Sequence, residues 1–219
     1  MDVVVTDLTR MRGGHICIAG IDLATGDRVR PKLAGVGLPD SVAAVNGGTV
    51  RTGSLLRLAD PWLVPSAPEI EDVIVPERMF EEHLRLSAPE FVDVIRGTTG
   101  DIERQIESLE RRGRSLVVAE GMGHGSLAVI KAPRPLRVAL NDFGRIRATY
   151  DGLDLSVTDL RLYAGAAVDP GAVSRLAGRL RSGEVVLAVG LTRPFSPNEE
   201  PPVHWLQVNG VHLMDDPYW

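Results

Sequence analysis

One short sequence is used more than once in this chain, and it constrains the fold more than any other feature. Val5-Thr6-Asp7-Leu8-Thr9-Arg10 lies near the start. Val157-Thr158-Asp159-Leu160-Arg161 repeats its first four letters, and Leu191-Thr192-Arg193 repeats its Leu-Thr-Arg portion. The flanks match too. Val3-Val4-Val5 precedes the first copy and Val185-Val186-Leu187 the last. His15-Ile16-Cys17-Ile18-Ala19-Gly20-Ile21 follows the first, and His204-Trp205-Leu206-Gln207-Val208-Asn209-Gly210-Val211 follows the last. Each unit is an apolar run, a polar break ending in Arg, a loop, a His, a second apolar run, then Gly and a β-branched residue. Self-similarity of this kind points to repeated supersecondary units, here two related β units rather than one enzyme core. The alternative is coincidence among common residue types.

The remaining pattern is mainly β. In residues 1–75 we expect strands at 3–6, 15–21, 28–31 and 54–58, a turn at 22–27, a loop over 33–50 and an extended Pro-punctuated stretch around Trp62. Gly and Asp tolerate the backbone angles such turns need. The character changes over residues 76–112. Spacing predicts helix at 77–86, a second helix opened by Pro89 with Phe91, Val92 and Ile95 on one side, and a third at 101–112 capped by Asp101 with Ile102, Ile106 and Leu109 on one face. The β pattern returns with strands at 115–119, 127–130, 136–140 and 145–150. Asp151-Gly152 is a hairpin turn leading back into 153–157. A short amphipathic helix follows at 170–181, with Val173, Leu176 and Leu180 inside, and closing strands at 185–189 and 204–211 flank a Pro-rich loop. The expected fold is therefore mainly β with a helical insert (α+β): a β unit over 1–75, an insert over 76–114 and a β unit over 115–219. Strands and helices do not alternate, which excludes a doubly wound sheet. Small barrels are favoured because closure removes exposed edges.

Composition narrows the function classes. The 219 residues suffice for a core without staples, and aromatic residues are 5%, so that core is aliphatic. The net charge of −5 argues against a strong, sequence-independent grip on a phosphate backbone while leaving room for a local basic groove. Lys32 and Lys131 are the only lysines, so the basic residues are nearly all Arg. Arg suits bidentate recognition of phosphate or base, although genomic base composition also produces such a bias. Cys17 is alone, which rules out an internal disulfide and a Cys-based zinc site. No signal peptide or membrane-length apolar run is visible, so a cytoplasmic protein with no membrane partner is expected.

Three segments carry a family resemblance. They are residues 4–31, with Thr6-Asp7-Leu8-Thr9-Arg10-Met11, Cys17-Ile18-Ala19-Gly20 and Arg30-Pro31; residues 150–159, from Tyr150-Asp151-Gly152 to Val157-Thr158-Asp159; and residues 190–210, with Gly190-Leu191-Thr192-Arg193-Pro194-Phe195 and His204-Trp205-Leu206-Gln207-Val208-Asn209-Gly210. In these the chain resembles the dual OB domain family of bacterial conflict (defence) systems. The resemblance implies two OB-like β-barrels and a nucleic-acid-sensing role. The helical middle matches nothing in that pattern, and none of the motifs is a catalytic signature.

The candidate site residues follow from residue chemistry. Arg10 and Arg193 close polar strand ends, where an Arg can pair with phosphate or stack on a base, or simply be solvated beside a local turn. Arg145 and Arg147 share the polar face of one strand, and His15, His204 and Trp205 complete the set. His204-Trp205 can stack on and bond a base, although alternation puts the two on opposite faces. Gly121-Met122-Gly123-His124-Gly125 lacks the Lys-Ser/Thr and helix of a P-loop and reads as a flexible hairpin loop. No nucleophile motif or carboxylate dyad is visible. The leading expectation is a non-catalytic module, without cofactor or metal, binding single-stranded nucleic acid or a nucleotide-like ligand. One alternative is a scaffold that docks a protein partner. The other is a small metal-assisted enzyme built on His15, His124 and His204.

Overall fold

The computed structural model describes residues 1–11, 13–34, 37–76, 80–181, 183–197 and 199–219, with the side chains of residues 80–83 outside the description. The chain is mostly β, in two main sheets. The first contains β1 (Asp2–Arg10), β2 (His15–Asp22), β3 (Arg28–Lys32), β4 (Leu38–Pro39), β5 (Ser54–Leu58), β6 (Trp62–Leu63), β7 (Asp72–Ile74) and β8 (Phe80–Arg85). Its order is β6-β7-β3-β2-β1-β5-β8, with β4 added to β2. Two helices follow, α1 (Ala88–Thr98) and α2 (Ile102–Gln105). The second sheet is built from β9 (Glu110–Arg112), β10 (Ser115–Ala119), β11 (Leu127–Lys131), β12 (Arg137–Leu140), β13 (Ile146–Tyr150) and β14 (Leu153–Val157). After the two-stranded β15 (Tyr163–Ala164) and β16 (Ala167–Val168) and the helix α3 (Pro170–Arg179), it is completed by β17 (Val185–Leu191) and β18 (Val203–Leu213). Its order is β11-β17-β18-β14-β13-β12, with β10 also on β18 and β9 on β10. Among the described residues both sheets are open paths.

The repeated units are the two longest hairpins. β1 pairs antiparallel with β2, and β17 with β18, and each hairpin is interrupted by a β-bulge. A Gly sits at each bulge: Gly20 opposite Val5 and Gly210 opposite Ala188. A Cβ on Gly20 would press on the Val4 carbonyl oxygen at 2.5 Å, and one on Gly210 would come within 3.1 Å of Asp7 Cβ. Bulges admit one extra residue and bend the strand. The extra residue is Thr6 on the first strand of one hairpin but Asn209 on the second strand of the other. The two hairpins are therefore alike in plan and different in detail.

The Thr-Asp-Leu copies meet in space. Thr9 forms an isolated antiparallel bridge with Asp159, and Arg10 N donates to Thr158 O at 3.2 Å. Leu8 and Leu160 both enter the core of the first sheet. A second core lies under β13, β14, β17, β18 and α3. A third joins the sheets. It packs Phe91, Val92 and Ile95 of α1 on Val4 and Leu55 from one sheet and Val129, Val186 and Ala188 from the other. The apolar face expected for α1 is thus the one it buries, and Glu90 caps it by accepting from Ser87 N at 2.8 Å.

Two expected helices are different. The 77–86 segment was read as helical from its spacing, but Phe80–Arg85 is a strand paired with β5, and 77–79 lie outside the described residues. Pairing along a sheet edge outweighs a weak local helical pattern. The expected 101–112 helix stops at Gln105, and Glu110–Arg112 is strand β9. Asp101 does cap it, accepting from Glu103 N at 3.1 Å. The cause of the early stop is visible at Gln105. Its side chain binds the β11 backbone both ways, accepting from Val129 N at 2.9 Å and donating to Val129 O at 3.0 Å. Ser108 then takes a φ of 59° and turns the chain toward β9. The segment expected as a helical insert, 76–114, therefore supplies β8 to the first sheet and β9 to the second.

Candidate nucleic-acid interface

The Asp151-Gly152 turn sets β13 against β14 so that Arg147 faces Ser156. The alternation expected for this strand holds: Ile146, Ala148 and Tyr150 are buried, and Arg147 and Thr149 are half-buried on the other face. β14 runs parallel to β18 through Ser156–Gln207 pairing, which brings Trp205 and Gln207 alongside. The result is a groove of about 270 Å³ lined by Arg145, Arg147, Ser156, Phe195, Trp205 and Gln207.

Its aromatic wall is well held. Trp205 N donates to Thr192 Oγ1 at 3.0 Å, and its indole Nε1 donates to Phe195 O at 3.1 Å. The Phe195 and Trp205 rings lie 5.8 Å apart, tilted by 33°, with Phe195 49% exposed. Such a pair presents π surface to solvent, which a buried core pair does not. Opposite it, Arg147 is fully engaged: Nε donates to Asp154 Oδ1 at 2.8 Å, Nη1 to Ser156 Oγ at 2.6 Å and Nη2 to Asp154 O at 2.5 Å. Arg147 is thus a fixed cation whose charge Asp154 offsets. Arg145 is exposed and makes no side-chain bond with any described residue.

Of the seven candidate residues, Arg145, Arg147 and Trp205 share this groove. The others do not line it. His204 points the opposite way, as alternation requires, and is 2% exposed with Nδ1 donating to Thr192 O at 2.9 Å, so it pins the hairpin. Arg193 pairs with Glu69 at 2.6 Å and Asp72 at 3.5 Å in the first half. Arg10 is exposed and lies 5.6 Å from the Tyr163 ring centroid. His15 is half-buried at the start of β2, opposite Pro39. The repeat does not place its arginines alike: Arg10 and Arg193, each closing a polar strand end, sit in unlike surroundings. The histidine metal site is also corrected. Among the described residues no group of three or more His, Cys, Asp or Glu is placed to hold a metal, and His204 is committed to backbone.

Several important residues were not singled out by sequence. Phe195 lies in a Pro-rich loop with no periodicity to mark it. Ser156 was accessible in principle, because a two-residue turn at 151–152 dictates the Arg147–Ser156 register. Asp159 and Arg161 were marked by the repeat and His212 as a titratable residue, but not the buried polar seam they form between the halves. Asp159 Oδ2 pairs with Arg161 Nη2 at 2.6 Å and accepts from Val211 N at 3.0 Å, while Arg161 also donates to Val211 O at 2.8 Å. Beside it His212 is fully buried, and neither ring nitrogen has a hydrogen-bond partner among the described residues. Burial first, and then the Arg161 and Arg28 charges, push its pKa down to about 3. Burial pushes the Asp7 carboxyl up, against a 2.7 Å hydrogen bond from Thr6 Oγ1. The glycine-rich loop is exposed at Gly121, Met122 and His124 and most closely packed at its end, where Gly125 has a φ of 94° and a Cβ would run into the Gln105 carbonyl.

No helix among the described residues is long and apolar enough to cross a membrane. No protein-family model matches the chain, and neither a curated protein nor a solved structure matches it significantly.

Proposed function

We propose that this chain is a non-catalytic binding module that recognises single-stranded nucleic acid, or a nucleotide-like ligand, through the groove of the second half. The observation that carries this reading is the solvent-facing Phe195–Trp205 pair in the same groove as Arg145, whose side chain is unengaged among the described residues. Bases stack on aromatic rings with little regard to sequence, and an Arg beside them meets phosphate. The resemblance to the dual OB domain family extends the proposal: each half is an OB-like barrel, and the context is bacterial defence. OB barrels are themselves partly open Greek-key sheets, so open strand paths are compatible with that reading.

The test is fluorescence anisotropy of a labelled oligothymidylate titrated at low and moderate salt. Trp205→Ala should weaken binding by the ~1–3 kcal/mol that base stacking supplies. Arg145→Ala should reduce the salt slope by about one unit. No binding at low salt, where the phosphate contribution is largest, would sink the proposal.

The scaffold alternative has one observation in its favour. β12 is an edge strand of its sheet, and the turn after it carries Phe143, 85% exposed, next to Leu140, 38% exposed. A partner strand or apolar surface docking there would be lost on Phe143→Ser, as read by co-purification.

A further inference from the structure

A second hollow, of about 340 Å³, lies where the two halves meet. Its floor includes Leu8 and Leu160, the leucines of the two Thr-Asp-Leu copies, held together by the Thr9–Asp159 bridge. One rim carries Val45, 54% exposed, and Arg51, whose exposed side chain makes no bond with any described residue. The other rim is Tyr218 and Trp219. Each ring has a guanidinium over it, Arg85 at 3.8 Å from the Tyr218 centroid and Arg161 at 4.3 Å from that of Trp219.

This rim is built into the fold. Tyr218 Oη donates to Leu86 O at 2.8 Å, and Trp219 Nε1 donates to Val211 O at 2.9 Å. Gly53, at a φ of 84°, leaves the space that Tyr218 fills, and a Cβ there would strike the phenol. Among the described lining residues the side-chain carboxylate is Asp159, and it is already paired with Arg161 at 2.6 Å. The hollow therefore offers an apolar floor, two aromatic edges and an outward guanidinium at Arg51.

Its contents can be read from that chemistry. A bare inorganic anion would leave the leucine floor uncovered. A neutral hydrocarbon would make no use of Arg51. The volume lies at the lower end of the ~300–1,000 Å³ that small-molecule sites occupy. We propose that this hollow binds a small organic anion: a carboxylate or phosphate carrying a flat or aliphatic body, with its charged end at Arg51 and its body over Leu8 and Leu160. The site is separate from the Trp205 groove and does not depend on nucleic-acid binding.

The probe is anilinonaphthalene sulfonate, an aromatic anion whose fluorescence rises in apolar surroundings, titrated into the intact chain. Arg51→Ala and Val45→Asp change exposed residues, and their urea unfolding curves should overlay the parent's. Expected is saturable one-to-one binding that Arg51→Ala weakens at least about tenfold, the worth of one charge-assisted hydrogen bond, and that Val45→Asp also weakens, by setting a carboxylate against the anion. Displacement by adenosine monophosphate marks a phosphate on a flat body; displacement by octanoate marks a carboxylate on an aliphatic one. Binding that survives both substitutions overturns the proposal. So does displacement by inorganic phosphate alone as effectively as by the organic anions, or displacement by none of the three.

Discussion

Acidification should destabilise this protein through His212, and the size of the effect follows from its surroundings. The ring is fully buried, edge-on to Phe91 at 5.5 Å between centroids, and faces Arg161 and Asp159 after β14 and Arg28 at the start of β3. In the folded chain it stays neutral down to about pH 3. In the unfolded chain it takes up a proton near its ordinary value of about 6.5. A depressed histidine pKa therefore leaves stability intact above about 6.5 and removes it as pH falls, by about 1.4 kcal/mol per unit, until the folded value is reached. Between about pH 7.5 and about pH 5 the loss is about 2 kcal/mol, or about 4–8 °C in Tm for a chain of this size. Asp7 acts in the opposite direction. Its folded pKa is raised, so its contribution is present at low pH and is lost as pH rises through that value. The measurement is best made in an Asp7→Asn background, by urea unfolding followed through tryptophan fluorescence at both pH values. His212→Leu should remove the 2 kcal/mol loss and, because two ring nitrogens without a partner among the described residues are replaced by carbon, leave stability near neutrality within about 1 kcal/mol of its background. An unchanged pH dependence in that variant would refute the reasoning.

Other perturbations have equally definite outcomes. Glu71→Ala should cost about 2–4 kcal/mol in urea unfolding, because the buried carboxylate accepts from Ser126 N at 2.6 Å, Ser126 Oγ at 2.8 Å and Leu127 N at 3.1 Å, and all three donors are stranded. A cost below about 1 kcal/mol would mean these bonds are replaced. Gly53→Ala should destabilise by more than about 1 kcal/mol and lower Tm, since a left-handed φ of 84° and the Tyr218 ring both oppose a Cβ. Asp159→Asn should lower Tm by several degrees by breaking the buried pair with Arg161, as uncompensated buried charges cost ~3–5 kcal/mol; an unchanged Tm would show that the pair is dispensable.

Much of the second half was legible from its residues. The Asp151-Gly152 hairpin turn, the alternation in 146–150 and the amphipathic spacing of Val173 and Leu176 in α3 are local signals, and those elements form where they were expected. The 101–112 segment failed because what ends α2 is a side chain, Gln105, gripping a strand that follows it in the chain. No local pattern encodes that contact. The same limit explains the candidate site. Arg145, Arg147 and Trp205 were readable as chemistry, yet their meeting with Phe195 depends on β14 lying parallel to β18. The Thr-Asp-Leu repeat was read as marking two related β units. Its two copies touch one another, and Leu160 fills the core of the opposite half.

β18 has neighbours on both edges, β17 along one side and β10 then β14 along the other, although it is the last strand of its sheet in chain order. During synthesis, β9 through β17 must therefore leave the ribosome before the strand that joins them exists. Until then β14 and β17 present unpaired backbone and apolar faces, the state in which chains associate wrongly. The β12–β13–β14 meander and the β11–β17 pair need no later strand, but the two are joined into one sheet only through residues 203–213, so the union of this half waits on its last strand.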